Sequence, residues 1–136
     1  MQNNFLEYEK KWQKIWEAEQ TFQTKESATK PKYFILDMFP YPTALGLHVG
    51  HVEGYVATDI LARYKRAKGF SVLQTMGFDA FGLPTEQFAI QNNVQPEEIT
   101  KISINNFKAQ LNRLGKAIDW QKSISTHDPE FYHWTQ

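Results

Sequence analysis

Two short apolar runs with a helical pattern between them constrain the fold of this chain more than any other feature. Residues 32–38 form an apolar and aromatic run that ends just before two prolines, and residues 70–76 form a second run. Their length and composition favour buried strands over helices. Between them, from about His51 to Gly69, the spacing becomes helical. The apolar stripe of this helix comprises Val52, Val56, Ile60 and Tyr64.

This order of strand, loop, helix and strand predicts an α/β fold with parallel strands and a right-handed crossover, which is half of a Rossmann-like nucleotide-binding domain. An amphipathic helix is predicted before it, since Asn4 and Glu7 have the spacing of a capping box. The stripe of that first helix comprises Phe5, Tyr8, Trp12, Ile15 and Trp16. We therefore expect residues 1–31 to be a helix with a polar connector, and residues 32–136 to be the first part of the nucleotide-binding domain.

The rest of the chain is predicted to be mostly helical. A short helix should follow Pro84, a longer one should cover about residues 96–115, and a strand could open at residues 118–120. Asp128, followed by proline and glutamate, is typical of a helix start. Only six residues follow Glu130, so this helix predicts that the natural chain continues.

Composition limits the classes of function. Fifteen Lys and Arg balance fifteen Asp and Glu, so the chain lacks the strongly basic field of many nucleic-acid-binding proteins, and any RNA contact should be local. There is no cysteine, hence no disulfide and no thiolate zinc site. No run approaches the roughly 20 apolar residues of a membrane span. These features predict a soluble, cytoplasmic protein.

The candidate chemistry lies between the first strand and the helix, at His48, Gly50 and His51. A helix N-terminus and neutral imidazoles provide donors for phosphate, and a residue without a side chain lets adenine approach the backbone. This loop and the loop after the second strand should converge at the carboxyl ends of the strands. Two alternatives remain: the histidines are structural, or they bind a metal for which no third ligand is obvious.

Four motifs resemble those of bacterial leucyl-tRNA synthetases, which are class I aminoacyl-tRNA synthetases. They are Met38-Phe39-Pro40-Tyr41-Pro42, Leu47-His48-Val49-Gly50-His51, Asp59-Ile60-Leu61-Ala62-Arg63-Tyr64 and Met76-Gly77-Phe78-Asp79-Ala80-Phe81-Gly82-Leu83-Pro84. The likeness continues from Lys11 to Gln136. The histidine motif alone is shared by the whole class, whereas its combination with the fourth motif is narrower. The chain departs from the family pattern at Thr43, Ala44, Phe78 and Thr85.

The resemblance implies a leucine–tRNA ligase that uses ATP, with Mg²⁺, to form leucyl-adenylate and then charges tRNA(Leu). The implied ATP-binding residues are His48, Gly50 and His51, of which the two histidines are the implied catalytic groups. The implied leucine-binding residues are Met38, Phe39, Tyr41 and Asp79. The family's Lys-Met-Ser-Lys-Ser loop, zinc-bearing insert and editing domain are not in these residues. An alternative is a non-catalytic module that assembles with the missing remainder, and another is a complete small nucleotidylyltransferase.

Overall fold

The computed structural model describes residues 4–43 and 46–136 of the chain. The strands in this part are β1 (Lys32–Leu36), β2 (Ser71–Thr75), β3 (Gly77–Phe78) and β4 (Ile124–Ser125). The helices are α1 (Phe5–Ala18), α2 (Val49–Ala67), α3 (Leu83–Asn92), α4 (Pro96–Arg113) and α5 (Pro129–Tyr132), and a 3-10 turn covers Trp120–Lys122. None of these helices is long and apolar enough to cross a membrane.

The predicted α/β unit is formed by β1, α2 and β2. The two strands pair in parallel along their whole length, and α2 connects them. Ala62 of α2 is completely buried and belongs to one apolar cluster with Ile35 and Val72. A small residue at this position lets the helix lie close to the sheet. The prediction of an α/β fold with parallel strands is confirmed.

The strand run continues beyond β2 and pairs with the later part of the chain. Met76 separates β2 from β3, and β3 pairs in parallel with β4. Between these pairings, the Asp119 N–H donates to the Gln74 carbonyl at 2.8 Å. Met76 is completely buried in an apolar cluster that includes Tyr55 and Leu111. The cluster therefore joins the strand to α2 and α4.

The helix α2 is confirmed, but its apolar stripe is not its buried face. Val56, Ile60 and Tyr64 are 43%, 64% and 54% exposed. The buried residues of α2 are Tyr55 and Ala62. Hydrophobic spacing indicated the wrong face because the face of α2 that packs against the rest of the fold is partly polar.

The first helix begins at Phe5 as predicted, but its cap and its stripe differ from the prediction. The Asn4 carbonyl accepts the Glu7 N–H at 3.0 Å, whereas the Asn4 side chain makes no capping bond. The first three apolar residues of the stripe are at least half exposed. The helix packs through its second half, where Gln13 donates to the Arg113 carbonyl at 3.0 Å and the rings of Trp16 and Phe22 meet edge to face at 5.2 Å.

The prediction of a strand at residues 118–120 is wrong. The Asp119 carboxylate accepts the Gln121 N–H at 3.2 Å and the Thr24 N–H at 2.8 Å, and a 3-10 turn follows. An aspartate that caps the backbone two residues ahead favours a turn over an extended strand. The strand forms later, as β4. The other predicted elements are confirmed, with their ends shifted by at most two residues.

Candidate functional site

Two loops meet beyond the carboxyl ends of the strands. One follows β1 and leads to α2, and the other follows β3 and leads to α3. The Asp79 N–H of the second loop donates to the Pro40 carbonyl of the first at 3.0 Å. The predicted convergence of the two loops is therefore confirmed by a direct hydrogen bond.

His48 and His51 cap each other at the start of α2. The His51 N–H donates to His48 Nδ1 at 3.3 Å, and the His48 N–H donates to His51 Nδ1 at 3.2 Å. Their rings stack with centroids 3.7 Å apart. This is a capping box in which imidazoles replace the usual hydroxyl and carboxylate. Because His48 is the cap, the helix starts at Val49, earlier than predicted.

These capping bonds decide which ring nitrogen carries the proton. A nitrogen that accepts a backbone N–H has no proton of its own, so each neutral ring carries its proton on Nε2. Burial, and then the neighbouring His48 imidazole, lower the pKa of His51, which favours this neutral form. Each ring thus has an Nε2–H donor on the side opposite the cap. Together with the N–H groups at the start of α2 that the cap does not use, these donors suit a phosphate group.

Gly50 is exposed and lies beside the His48 ring. A Cβ at position 50 would lie 3.0 Å from Cε1 of His48, which is closer than an ordinary van der Waals contact. The glycine therefore has a structural reason to be there, since it leaves room for the capping imidazole. Its predicted contact with adenine stays a prediction.

The three predicted leucine-binding side chains of the first loop have different surroundings. Met38 and Tyr41 are 89% and 55% exposed, whereas Phe39 is half-buried. The Phe39 ring lies directly on the backbone of Gly77, where an added Cβ would be 2.0 Å from the ring. The structure therefore brings Phe39 to the strand that leads to Asp79.

A buried ion pair lies at the start of the first loop. Lys116 Nζ donates to Asp37 Oδ2, and the two side chains are 4% and 3% exposed. Lys116 also donates to the Tyr55 carbonyl at 3.0 Å and the Thr58 hydroxyl at 3.1 Å, and Thr58 donates to Asp37 at 2.7 Å. Burial lowers the pKa of Lys116, and the hydrogen bond and charge of Asp37 oppose that shift. The network ties β1 to α2 and to the segment after α4.

Tyr55 extends this network to the loop. Its hydroxyl donates to the Met38 carbonyl at 2.9 Å. Burial, and then the charge of Asp37, raise the pKa of Tyr55 to about 12. The hydroxyl therefore keeps its proton and remains a donor to the loop.

Asp79 is half-buried, and the second loop is held by Thr126. The Thr126 hydroxyl accepts the Ala80 N–H at 2.8 Å and the Phe81 N–H at 2.9 Å. The same hydroxyl donates to Asp79 Oδ1 at 3.3 Å. The loop is therefore fixed on one side by the first loop and on the other by the segment after β4.

The site is defined by these polar groups and not by an enclosed volume. A cavity of about 450 Å³ lies between α1 and α4, but none of the predicted site residues lines it. Within residues 4–43 and 46–136, no three His, Asp or Glu side chains form a group that could hold a metal ion.

Comparison with known proteins shows the family. The model of class I tRNA synthetases that covers the isoleucine, leucine, methionine and valine enzymes matches residues 11–135. The chain belongs to this family. The resemblance of the four motifs to leucyl enzymes is also confirmed, because the relatives described below are leucine–tRNA ligases.

Two relatives and one solved structure illustrate the similarity. The synthetase chain is 57% identical over 136 residues to the leucine–tRNA ligase of Chloroherpeton thalassium, covering all of this chain and 17% of that protein. It is 59% identical over 128 residues to that of Chlamydia muridarum, covering 94% of this chain and 16% of that protein. The crystal structure of the ternary complex of agnB2 LeuRS with tRNA and LeuAMS, from Agrobacterium radiobacter K84, matches 96% of this chain with a TM-score of 0.89 and 35% identity. The chain spans about a sixth of the length of these relatives.

Several residues around the synthetase site were not predicted from the sequence. No role was predicted for Asp37, Tyr55, Lys116 or Thr126. One signal existed, because an aspartate at the end of an apolar strand run needs a partner when it is buried. Nothing local indicated that this partner is Lys116.

The departures from the synthetase pattern fall on packed positions where the structure describes them. Phe78 and Thr85 are 1% and 4% exposed, and Thr43 is half-buried. Ala44 lies outside the described residues. Phe78 and Thr85 are therefore part of the packing under the second loop and α3.

Proposed function

We propose that this chain is part of a leucine–tRNA ligase. The whole enzyme joins leucine to ATP, giving leucyl-adenylate and pyrophosphate, and then transfers leucine to tRNA(Leu). The observation that carries the proposal is the contact between the two loops, because the Asp79 N–H donates to the Pro40 carbonyl of the loop that leads to His48 and His51. A phosphate-binding group and an ammonium-binding group then lie on adjoining loops, as an aminoacyl-adenylate requires.

The two histidines are proposed to bind the phosphates of ATP through their Nε2–H groups. In the reaction the leucine carboxylate attacks the α-phosphorus, the bond to pyrophosphate breaks, and negative charge grows on the phosphate oxygens. Donors already aimed at that position stabilise the charge without reorganising. No protein nucleophile is needed, so catalysis depends on positioning and on charge stabilisation. Gly50 is proposed to lie against the adenine ring.

Leucine is proposed to bind between the two loops. An ionised carboxylate such as that of Asp79 forms a charge-assisted hydrogen bond with the α-ammonium group. Met38, Phe39 and Tyr41 would surround the leucine side chain, and the exposure of Met38 and Tyr41 leaves their side chains accessible to a ligand.

The metal and the partners follow from the same role. The site residues offer N–H donors and a single carboxylate, which suit phosphate and ammonium better than Mg²⁺. Mg²⁺ would therefore be held mainly by the ATP phosphates.

The proposed division of the chain into domains is an N-terminal helix and connector at residues 1–31 and a nucleotide-binding part at residues 32–136. Because tRNA charging supplies translation, we propose a cytoplasmic location.

Calorimetric titration of the chain with ATP and Mg²⁺, then with a non-hydrolysable leucyl-adenylate analogue such as LeuAMS, tests the proposal. The informative variant is His48→Asn with His51→Gln, because asparagine and glutamine can still form a reciprocal cap while the imidazoles are lost. We expect the double variant to bind LeuAMS roughly a hundredfold more weakly.

The control for this titration is His133→Ala, which removes an exposed imidazole outside the site. It should bind LeuAMS like the unmodified chain. A double variant that binds the analogue as well as the control does would contradict the proposed roles of the histidines, and a folded chain that does not bind the analogue would contradict a preformed site in this part of the enzyme.

A second candidate function is that of an assembly module without activity of its own. Phe34, Leu36 and Met38 of β1 and its following loop are 58%, 59% and 89% exposed, and Trp134 is 83% exposed. Apolar surface of this kind is typical of an interface. Restored leucine-dependent adenylation on mixing with the missing remainder, together with no LeuAMS binding by the chain alone, would favour this candidate.

A further inference from the structure

The Thr126 hydroxyl uses all of its hydrogen-bonding positions on residues 79–81 of the second loop. A hydroxyl has one proton and two acceptor positions. Here the two acceptor positions take the N–H groups of Ala80 and Phe81, at 2.8 and 2.9 Å. Within the part of the chain that the structure describes, the remaining partner for the proton is Asp79 Oδ1, at 3.3 Å. The two backbone bonds therefore decide which way the hydroxyl points.

Thr126 is itself held firmly enough to serve as an anchor. Its N–H donates to the Phe78 carbonyl at 3.0 Å, which extends the pairing of β3 with β4 by one bond. The next turn is closed by Asp128, whose N–H donates to the Ser125 carbonyl at 3.0 Å and whose carboxylate accepts the Ser125 N–H at 3.2 Å. The hydroxyl thus sits on a strand end that is fixed on both sides.

The arrangement leaves one face of the Asp79 carboxylate for a ligand. Its Oδ1 atom is oriented by Thr126, and its backbone N–H is bound to Pro40. Among residues 4–43 and 46–136, Oδ2 of Asp79 has no hydrogen bond. A carboxylate with one oxygen fixed and the other open is suited to accept an N–H from an ammonium group.

We propose that Thr126 is a positioning residue, whose hydroxyl fixes residues 79–81 and orients the Asp79 carboxylate toward the α-ammonium group of the bound amino acid. This inference rests on the proposed function, because it assumes that Asp79 binds that group. It adds a residue that touches no substrate atom and acts only through Asp79.

The test combines a change in the protein with a change in the ligand. Thr126→Val keeps the shape and removes the hydroxyl, and Thr126→Ser keeps the hydroxyl. Each variant is titrated with LeuAMS and with the same analogue lacking its α-amino group. We expect Thr126→Val to weaken binding of LeuAMS about tenfold, to leave binding of the analogue without the amino group unchanged, and to be rescued by Thr126→Ser.

The matched control is Thr75→Val. Thr75 is buried and its hydroxyl donates to the Lys122 carbonyl at 2.7 Å, so this change also removes a hydroxyl bond to the segment near β4, but not one to Asp79. It should not discriminate between the two ligands. If Thr126→Val weakens binding of both ligands equally, or if Thr126→Ser binds LeuAMS as weakly as Thr126→Val does, Thr126 has only a structural role and the inference is overturned.

Failure of the proposed function has a different signature. If the unmodified chain binds both ligands equally well, Asp79 is not the ammonium site. If it binds neither ligand, the proposed site is not formed in this chain, and in both cases the inference falls with the proposed function. Amide hydrogen exchange without ligand tests the structural step by itself. Thr126→Val should speed exchange of the Ala80 and Phe81 amides about tenfold, and unchanged exchange would show that the hydroxyl does not fix the loop.

Discussion

The two ends of the candidate site are built in different ways. At the phosphate end, His48 and His51 cap each other within a single helical turn. At the ammonium end, Asp79 is held by Thr126, which lies 47 positions away in the sequence. The first end depends on one helix start, whereas the second depends on the assembled sheet. Changes in distant packing should therefore disturb the Asp79 end and leave the histidine turn largely intact.

The largest effect is expected from breaking the buried ion pair. Lys116→Met leaves Asp37 charged and buried without its partner, which should lower the free energy of unfolding by about 3–5 kcal/mol. The control Lys101→Met removes an exposed partner of Glu97 and should change little. Urea unfolding measures both. If Lys116→Met is no more harmful than the control, the buried network of Lys116 and Asp37 does not stabilise the packing of α2 against the start of the first loop.

A smaller effect should follow from filling the space under Phe39. Gly77→Ala places a Cβ 2.0 Å from the Phe39 ring, and overpacking of this kind costs about 1–3 kcal/mol. Gly54→Ala is the control, because a Cβ there meets nothing within 4 Å and alanine favours a helix. The midpoint temperature of thermal unfolding should therefore decrease for Gly77→Ala and increase for Gly54→Ala. Destabilisation by both would indicate a general effect of removing glycine.

The histidine turn should respond only to local changes. His48→Ala removes the acceptor for the His51 N–H, and loss of a helix cap costs about 1 kcal/mol. His48→Asn can replace that acceptor and should retain most of the stability. Urea unfolding of the two variants gives the comparison. Equal destabilisation would mean that ring stacking, and not the cap, stabilises the turn.

The smallest expected effect is a dependence of stability on pH through His51. Burial and His48 hold the pKa of folded His51 below its ordinary value of 6.5. As the pH falls through 6.5, the unfolded chain therefore takes up the proton first, and stability decreases. The urea midpoint should drop between about pH 7.5 and about pH 5.5 by more in the unmodified chain than in His51→Gln. An equal drop in both would exclude His51 as the source.

The sequence predicted what local periodicity and short motifs can encode. Strands β1 and β2, the helices and the meeting of the two loops followed from spacing and from the rule for parallel sheets. The histidine motif placed the donors at a helix start, although their mutual capping was not foreseen. A contact between residues three positions apart, such as this cap, can be predicted from the local sequence.

The parts that were missed depend on residues far apart in the sequence. Asp37 and Lys116 are 79 positions apart, and no local pattern pairs them. The buried face of α2 was misjudged for the same reason, since Thr58 bonds to partners outside the helix. The capping role of Asp119 turned an expected strand into a 3-10 turn because a side-chain hydrogen bond outweighed β propensity.

The central claim is that the histidine turn and the Asp79 loop form one binding site. Nuclear magnetic resonance titration of the chain with LeuAMS tests it most directly, with the backbone amides of His51 and Ala80 as reporters of the two ends. We predict that both signals shift with one common dissociation constant, and that ATP alone shifts mainly the His51 signal. Shifts at only one end, or two different constants for LeuAMS, would contradict the account.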